Sequence, residues 1–172
     1  MARGEVWLAE AADRVVGAFE LWWEDEDAWG PQPPTAGYAH RLMVDHGSVQ
    51  PGTGRHLLRV AERRVAEAGR EMVRLDCLAG NTRLKAYHLN AGYRVVGSEE
   101  GKPQPSGSPK SFTLLGKAVP PSARSGRSPS AARALALDER VAGLQVLRGP
   151  FLTVEAGQER GDGHPRDGRL VR

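Results

Sequence analysis

Gly52-Thr53-Gly54 stands where a strand-like run gives way to a helical one. Glycine lets a backbone pass close to a bulky ligand, and free N–H groups at a helix start attract phosphate oxygens. This junction therefore has the makings of a pyrophosphate cradle, although Gly-x-Gly is equally at home in a plain tight turn. It is not a P-loop, which needs Gly-Lys-Ser/Thr after four intervening residues, nor a dinucleotide fingerprint, which needs a third glycine. Nucleotide hydrolysis and hydride transfer lose support. A second chemical feature is the run Glu24-Asp25-Glu26-Asp27 beside Trp22, Trp23 and Trp29, which could attract a cationic amine and stack on it. The competing structural reading is a solvated loop with tryptophans closing one end of a sheet, and it is preferred.

Other chemistries are excluded by what the chain carries. The single Cys77 makes no internal disulfide, and one cysteine with five scattered histidines gives no zinc-ligand spacing. No metal is expected, and Cys77 reads as a small core residue. Lys and Arg number 15 against 15 Asp and Glu over residues 1–119, and 9 against 6 over residues 120–172, so the +3 excess belongs to the tail. A domain without clustered positive charge is a poor nucleic-acid binder. The apolar stretch Val15 to Phe19 is too short and too acid-flanked for a signal peptide or a membrane span, so a cytoplasmic protein is expected.

The elements that must position these residues follow from periodicity. Val6 to Ala9 and Val15 to Leu21 read as a hairpin around Ala12-Asp13-Arg14, followed by a proline-rich loop to Pro34. Tyr38 to Val44 is a strand. From Arg55 the period becomes helical, with Leu57, Leu58, Ala61, Val65 and Ala68 on one side, and the helix ends near Gly69. Met72 to Leu78 alternates as a strand, Asn81 to about Asn90 is a shorter helix, and Tyr93 to Val96 and Phe112 to Leu115 are strands separated by a loop at 99–110. Residues 120–172 read as a low-complexity basic tail, mostly disordered, with helical potential at 131–147. One α/β domain over 1–119 plus that tail is the expected organisation.

Around residues 5–119 this order, with the phrases Trp29-Gly30…Gln32, Ala36 to Asp45, Leu75-Asp76-Cys77 and Gly107-Ser108-Pro109, resembles the GNAT-type N-acetyltransferases. The resemblance implies an α+β fold, a mixed and mostly antiparallel sheet with helices on both faces, and an acyl-CoA site where the family's fourth and fifth strands splay apart. Backbone groups of Leu42, Met43 and Val44 would pair with the pantetheine arm. Amides across Gln50, Gly52, Thr53, Gly54 and Arg55 would hold the pyrophosphate. Asn81 matches the family asparagine that faces the pantetheine and would serve equally as a helix N-cap. Seven residues on, where the family usually has the tyrosine that protonates the departing thiolate, this chain has His88 with Tyr87 beside it. His88 is placed slightly ahead as the acid, and Tyr87 has the competing reading of a core aromatic in line with Leu84 and Ala91. His40 lies where many relatives carry a glutamate general base. His46 and His56 are expected to face solvent.

Two departures stand out: Val49 occupies the place of the family's Arg or Gln, and Pro51 removes an N–H donor, both weakening the pyrophosphate site. The family's leading strand and helices have no counterpart before Val6, so the fold is expected to be N-terminally truncated, with its first strand an unpaired edge that favours association, a homodimer included. The implied activity is transfer of acetyl from acetyl-CoA, as co-substrate, to a primary amine of a small molecule or peptide. The alternative is a catalytically impaired CoA-binding or interaction module of the same fold. Nucleic-acid binding through the Arg-bearing tail is a weaker third reading.

Overall fold

Alternation of apolar and polar residues builds the first hairpin, β1 (Glu5–Ala11) and β2 (Arg14–Trp22), paired antiparallel from Glu5↔Leu21 to Ala11↔Arg14. Its two-residue turn uses Ala12 and Asp13, both with positive φ (48° and 60°), the turn geometry whose twist matches that of the flanking strands. Trp7, Ala9, Phe19 and Leu21 are buried, and Trp7 stacks on Phe19 with ring centroids 6.1 Å apart. The computed structural model describes residues 4–104, 107–120 and 144–149.

The acidic run after the hairpin forms one helical turn, α1 (Glu26–Trp29). Asp25 caps it through a hydrogen bond from Ala28 N to Oδ1. β3 (Ala36–Val44) then pairs antiparallel with β2 and parallel with β4 (Met72–Leu78). Between them runs α2 (Thr53–Glu67), whose Leu57, Leu58, Ala61 and Val65 are essentially sealed from solvent. These four residues face Phe19, Leu21, Val73 and Leu75 on the sheet, and this layer is the core. Fully burying one such side chain stabilises by about 1.5–3 kcal/mol. α3 (Thr82–Asn90) abuts the start of α2, where Arg55 Nη2 donates to Asn90 O at 2.7 Å. α1 lies on the opposite face, with Trp29 edge-on to Tyr38.

β5 (Arg94–Gln104) and β6 (Gly107–Ala118) form the other edge of the sheet, with β6 antiparallel to β4. The expected loop at 99–110 is instead occupied by the arms of this long hairpin. Gly101 at φ 66° and the register shifts around Lys102 absorb a composition that reads as loop, because glycine and proline are tolerated at bulges and on an overhanging ribbon.

The seventh strand, β7 (Leu144–Arg148), comes from the tail and pairs antiparallel with β1 from Ala11↔Leu144 to Trp7↔Arg148. Two expectations are corrected here: residues 144–147 are strand and not helix, and β1 is not an unpaired edge. Leu144 and Val146 reach a core that the tail's composition gives no hint of. The remainder of the tail lies outside the described residues. The sheet order is β5-β6-β4-β3-β2-β1-β7, with β3–β4 its parallel neighbours, which is the mixed, mostly antiparallel α/β architecture expected. Among the described residues no helix is long and apolar enough to cross a membrane.

Candidate functional site

The β3–β4 ladder is short, running only through Ala36↔Met72, Gly37↔Val73 and Tyr38↔Arg74. Beyond Tyr38 the two strands part. Arg41 adopts φ 47° and the β2–β3 register shifts there, so a bulge re-aims the chain at the point of divergence. The expected splay is therefore present, and each of its ends is lined by a different kind of group.

At one end stands the start of α2. Gly52, its N-cap, has φ 98°, a left-handed conformation that a side chain strains, and no side chain caps the helix. The first-turn amides of a helix have no acceptor within it, so this terminus suits an anion. Thr53 is buried, its Oγ1 donating to Gln50 O at 2.8 Å, while Gln50 itself is exposed. A Cβ on Gly54 would lie 3.3 Å from Tyr87 Oη, 3.5 Å from Val44 Cγ2 and 3.8 Å from Leu42 Cδ2. Gly54, Leu42, Val44 and Tyr87 thus converge, whereas the Met43 side chain is exposed. Tyr87 Oη is buried without a hydrogen-bond partner, and burial pushes the phenol above its ordinary range against a smaller pull from Arg55 and Arg59. These residues fit a pantetheine pyrophosphate: an uncapped helix start, a residue kept small for close approach, and an unsatisfied hydroxyl.

His88 is placed differently. The residue is 7% exposed, its imidazole packed against the rings of Tyr87 and Tyr93 at 5.4 and 5.9 Å, and burial holds it below the usual histidine range. Asn81 caps α3, its Oδ1 accepting from Leu84 N at 3.0 Å, and borders an open depression of about 590 Å³ with Gly80, Lys110 and Ser111. His46 is exposed as expected, but His56 is buried, a correction that its helical spacing with Thr53 and Val60 explains. Cys77 is buried in the core, and desolvation pushes its thiol up, as suits a packing residue. Val49 packs against the core from the glycine turn.

At the other end His40, on β3, lies 3.2 Å from Asp25 through Nε2 and Oδ2, with the Trp22 ring 4.5 Å from the imidazole. Asp76, from β4, completes the group. Burial raises its carboxyl above the usual range, with His40 drawing it down and Asp25 pushing it further up. Arg74 donates to Gln32 Oε1 at 2.9 Å and to Tyr38 Oη at 3.2 Å, and lies 4.9 Å above the Trp29 ring. Glu20 is engaged by Arg41 and by Trp22 Nε1. Sequence reasoning singled out His40 but treated Asp25 as one of four solvated carboxylates, and it passed over Asp76. The available signals were an Asp three residues before Ala28 at a helix start, and a lone carboxylate between Leu75 and Cys77 in a strand. Among the described residues no group of three or more His, Cys, Asp or Glu is placed to hold a metal ion.

Comparison with known proteins agrees with this architecture. The family model described as "Acetyltransferase (GNAT) family" matches residues 1–93. Among solved structures, a probable acetyltransferase from Staphylococcus epidermidis superposes with TM-score 0.59 at 12% identity, covering 69% of each chain. A Bacillus subtilis acetyltransferase in complex with CoA gives 0.56 at 14% identity, over 69% of this chain and 78% of that one. A ribosomal-protein-alanine N-acetyltransferase from Brucella melitensis gives 0.55 at 21% identity, over 66% and 68%. No curated protein matches the sequence.

Proposed function

Since the chain belongs to the acetyltransferase (GNAT) family, we propose that it transfers an acetyl group from acetyl-CoA to a primary amine of a small molecule or peptide, by direct attack of the amine on the thioester. The observation that carries this reading is the splay itself, open between the uncapped start of α2 and the His40, Asp25 and Asp76 group. Aminolysis needs three things: an amine that has lost its proton, a donor to polarise the carbonyl, and an acid for the thiolate. The reading gives the backbone of Leu42, Met43 and Val44 to the pantetheine arm, amides from Gln50 to Arg55 to the pyrophosphate, and the depression beside Asn81 to the neighbouring wall. His40 takes the proton from the amine.

For the acid, the reading favours Tyr87 over His88. Tyr87 Oη stands unpartnered against Gly54, and its raised titration keeps the proton on the phenol through neutral pH. His88 is sealed between two tyrosine rings and held neutral by burial. Tyr87 is therefore the acid of this proposal, and His88 packs behind it.

Titration calorimetry with acetyl-CoA, followed by thiol release over a panel of amines, tests the reading. Saturable binding with amine-dependent thiol release is expected. No heat from folded protein overturns it, and binding without thiol release on any amine returns the chain to the CoA-binding module.

A further inference from the structure

We propose that Asp25 is a positioning residue that fixes the tautomer of His40, so that Nδ1 is the atom that takes the proton from the acceptor amine. The inference rests on the reading of His40 as the base. Each oxygen of Asp25 has a near polar neighbour. Oδ1 accepts from Ala28 N at 3.3 Å in the cap of α1, and Oδ2 faces His40 Nε2 at 3.2 Å. The Asp25 side chain is 4% exposed and that of His40 16%, and neither Oδ2 nor Nε2 has a hydrogen-bond partner among the described residues, the 3.2 Å contact between them being close but not aligned as a hydrogen bond. Each of these two buried atoms thus has the other as its natural partner.

A carboxylate can only accept, so Nε2 carries the hydrogen and the lone pair is left on Nδ1. Four other groups surround the ring. Glu20, opposite His40 on β2, is engaged by Arg41 and Trp22; Trp22 presents a ring; Asp76 approaches from β4; and Lys102 of β5 is paired with Glu99 and Asp27 O.

The balance of the step is simple. The acceptor ammonium gives its proton to Nδ1, the amine nitrogen bonds the thioester carbon, and the C–S bond breaks. The thiolate then takes the Tyr87 proton, the acylated nitrogen and the imidazolium beside Asp25 each release a proton to solvent, and the Tyr87 phenolate takes one back, for a net release of one proton. Asp25 faces that imidazolium and stabilises it, a division of labour known from serine-protease triads.

Asp25→Asn tests this sharply because the cap constrains the amide. Asn Oδ1 must keep accepting from Ala28 N, which places the NH₂ against His40 Nε2 and forces the hydrogen onto Nδ1. Imidazole ¹⁵N shifts, recorded where the ring is uncharged, should report the Nε2–H form in the parent and the Nδ1–H form in the variant. kcat should fall by about 10²–10³-fold with acetyl-CoA affinity unchanged, and D25N combined with His40→Ala should be no slower than His40→Ala alone. Asp25→Ser, which keeps a capping oxygen, guards against loss of fold and should also lose turnover. The Nε2–H form persisting in D25N, or parental turnover in both variants, overturns the dyad. Tautomer inversion in a chain that acetylates no amine overturns the acetyl-transfer reading and leaves the dyad standing.

Discussion

The two ends of the splay are made of different materials. The α2 end is backbone and small residues, namely Gly52, Gly54, an uncapped helix terminus and a bulged strand, so its recognition depends on main-chain geometry. The α1 end is made of side chains, with Asp25, His40, Asp76, Trp22 and Arg74 held by caps, rings and hydrogen bonds. A backbone site tolerates departures such as Val49, which simply packs inward. A side-chain site is rewritten by one substitution. The first suits a part of the ligand that never changes, the second a part that differs from one acceptor to another.

If that contrast holds, the largest effect belongs to the side-chain end. His40→Ala should lower kcat by about 10³-fold and leave acetyl-CoA affinity intact by calorimetry; a loss of affinity instead would merge the two ends. Next, Tyr87→Phe should lower kcat by about 10²-fold, while His88→Ala should cost thermal stability first, since it empties a buried site between two rings. Turnover lost in the His88 variant at unchanged stability would restore His88 as the acid.

At the backbone end, Gly54→Val should weaken acetyl-CoA binding by about 10- to 100-fold, corresponding to the 1–3 kcal/mol of an overpacked site. Saturating acetyl-CoA should recover most of kcat, which separates it from the His40 variant. The smallest effect is on stability. The Asp76 carboxyl titrates above its unfolded value, so its contribution to stability is complete below the ordinary aspartate range and is lost as pH rises through the raised value. Asp76→Asn should therefore raise the melting midpoint at neutral pH, with the gain shrinking as the solution is acidified.

What was legible in the sequence is what local periodicity controls. The β1–β2 hairpin, the apolar face of α2 and the strand at Met72–Leu78 each announce themselves within a dozen residues, because a 2.0 or 3.6 repeat is written wherever one face is buried. The splay, by contrast, was available only through family resemblance, since no pattern in either strand says where two ladders part. α1 has four residues, too few to show a period. The β5–β6 ribbon carries prolines and glycines that a bulged overhang accepts and a flat central strand would refuse. His56 was misjudged because nearness to the glycine turn outweighed its place on the buried side of the helix. Asp25 and Asp76 were missed because they meet His40 only in space, from three separate elements.

The strand β7 sets a timetable. β1 leaves the ribosome roughly 130 residues before the segment that covers its outer edge. At about 5–20 residues per second, that interval is on the order of ten seconds. Throughout it, Glu5–Ala11 offers its outer row of N–H and C=O groups to any extended chain nearby. β1 is covered only once residue 148 has been made, so a nascent chain that stalls earlier keeps that seven-residue row open, whereas afterwards the outermost strand on this side is the shorter β7.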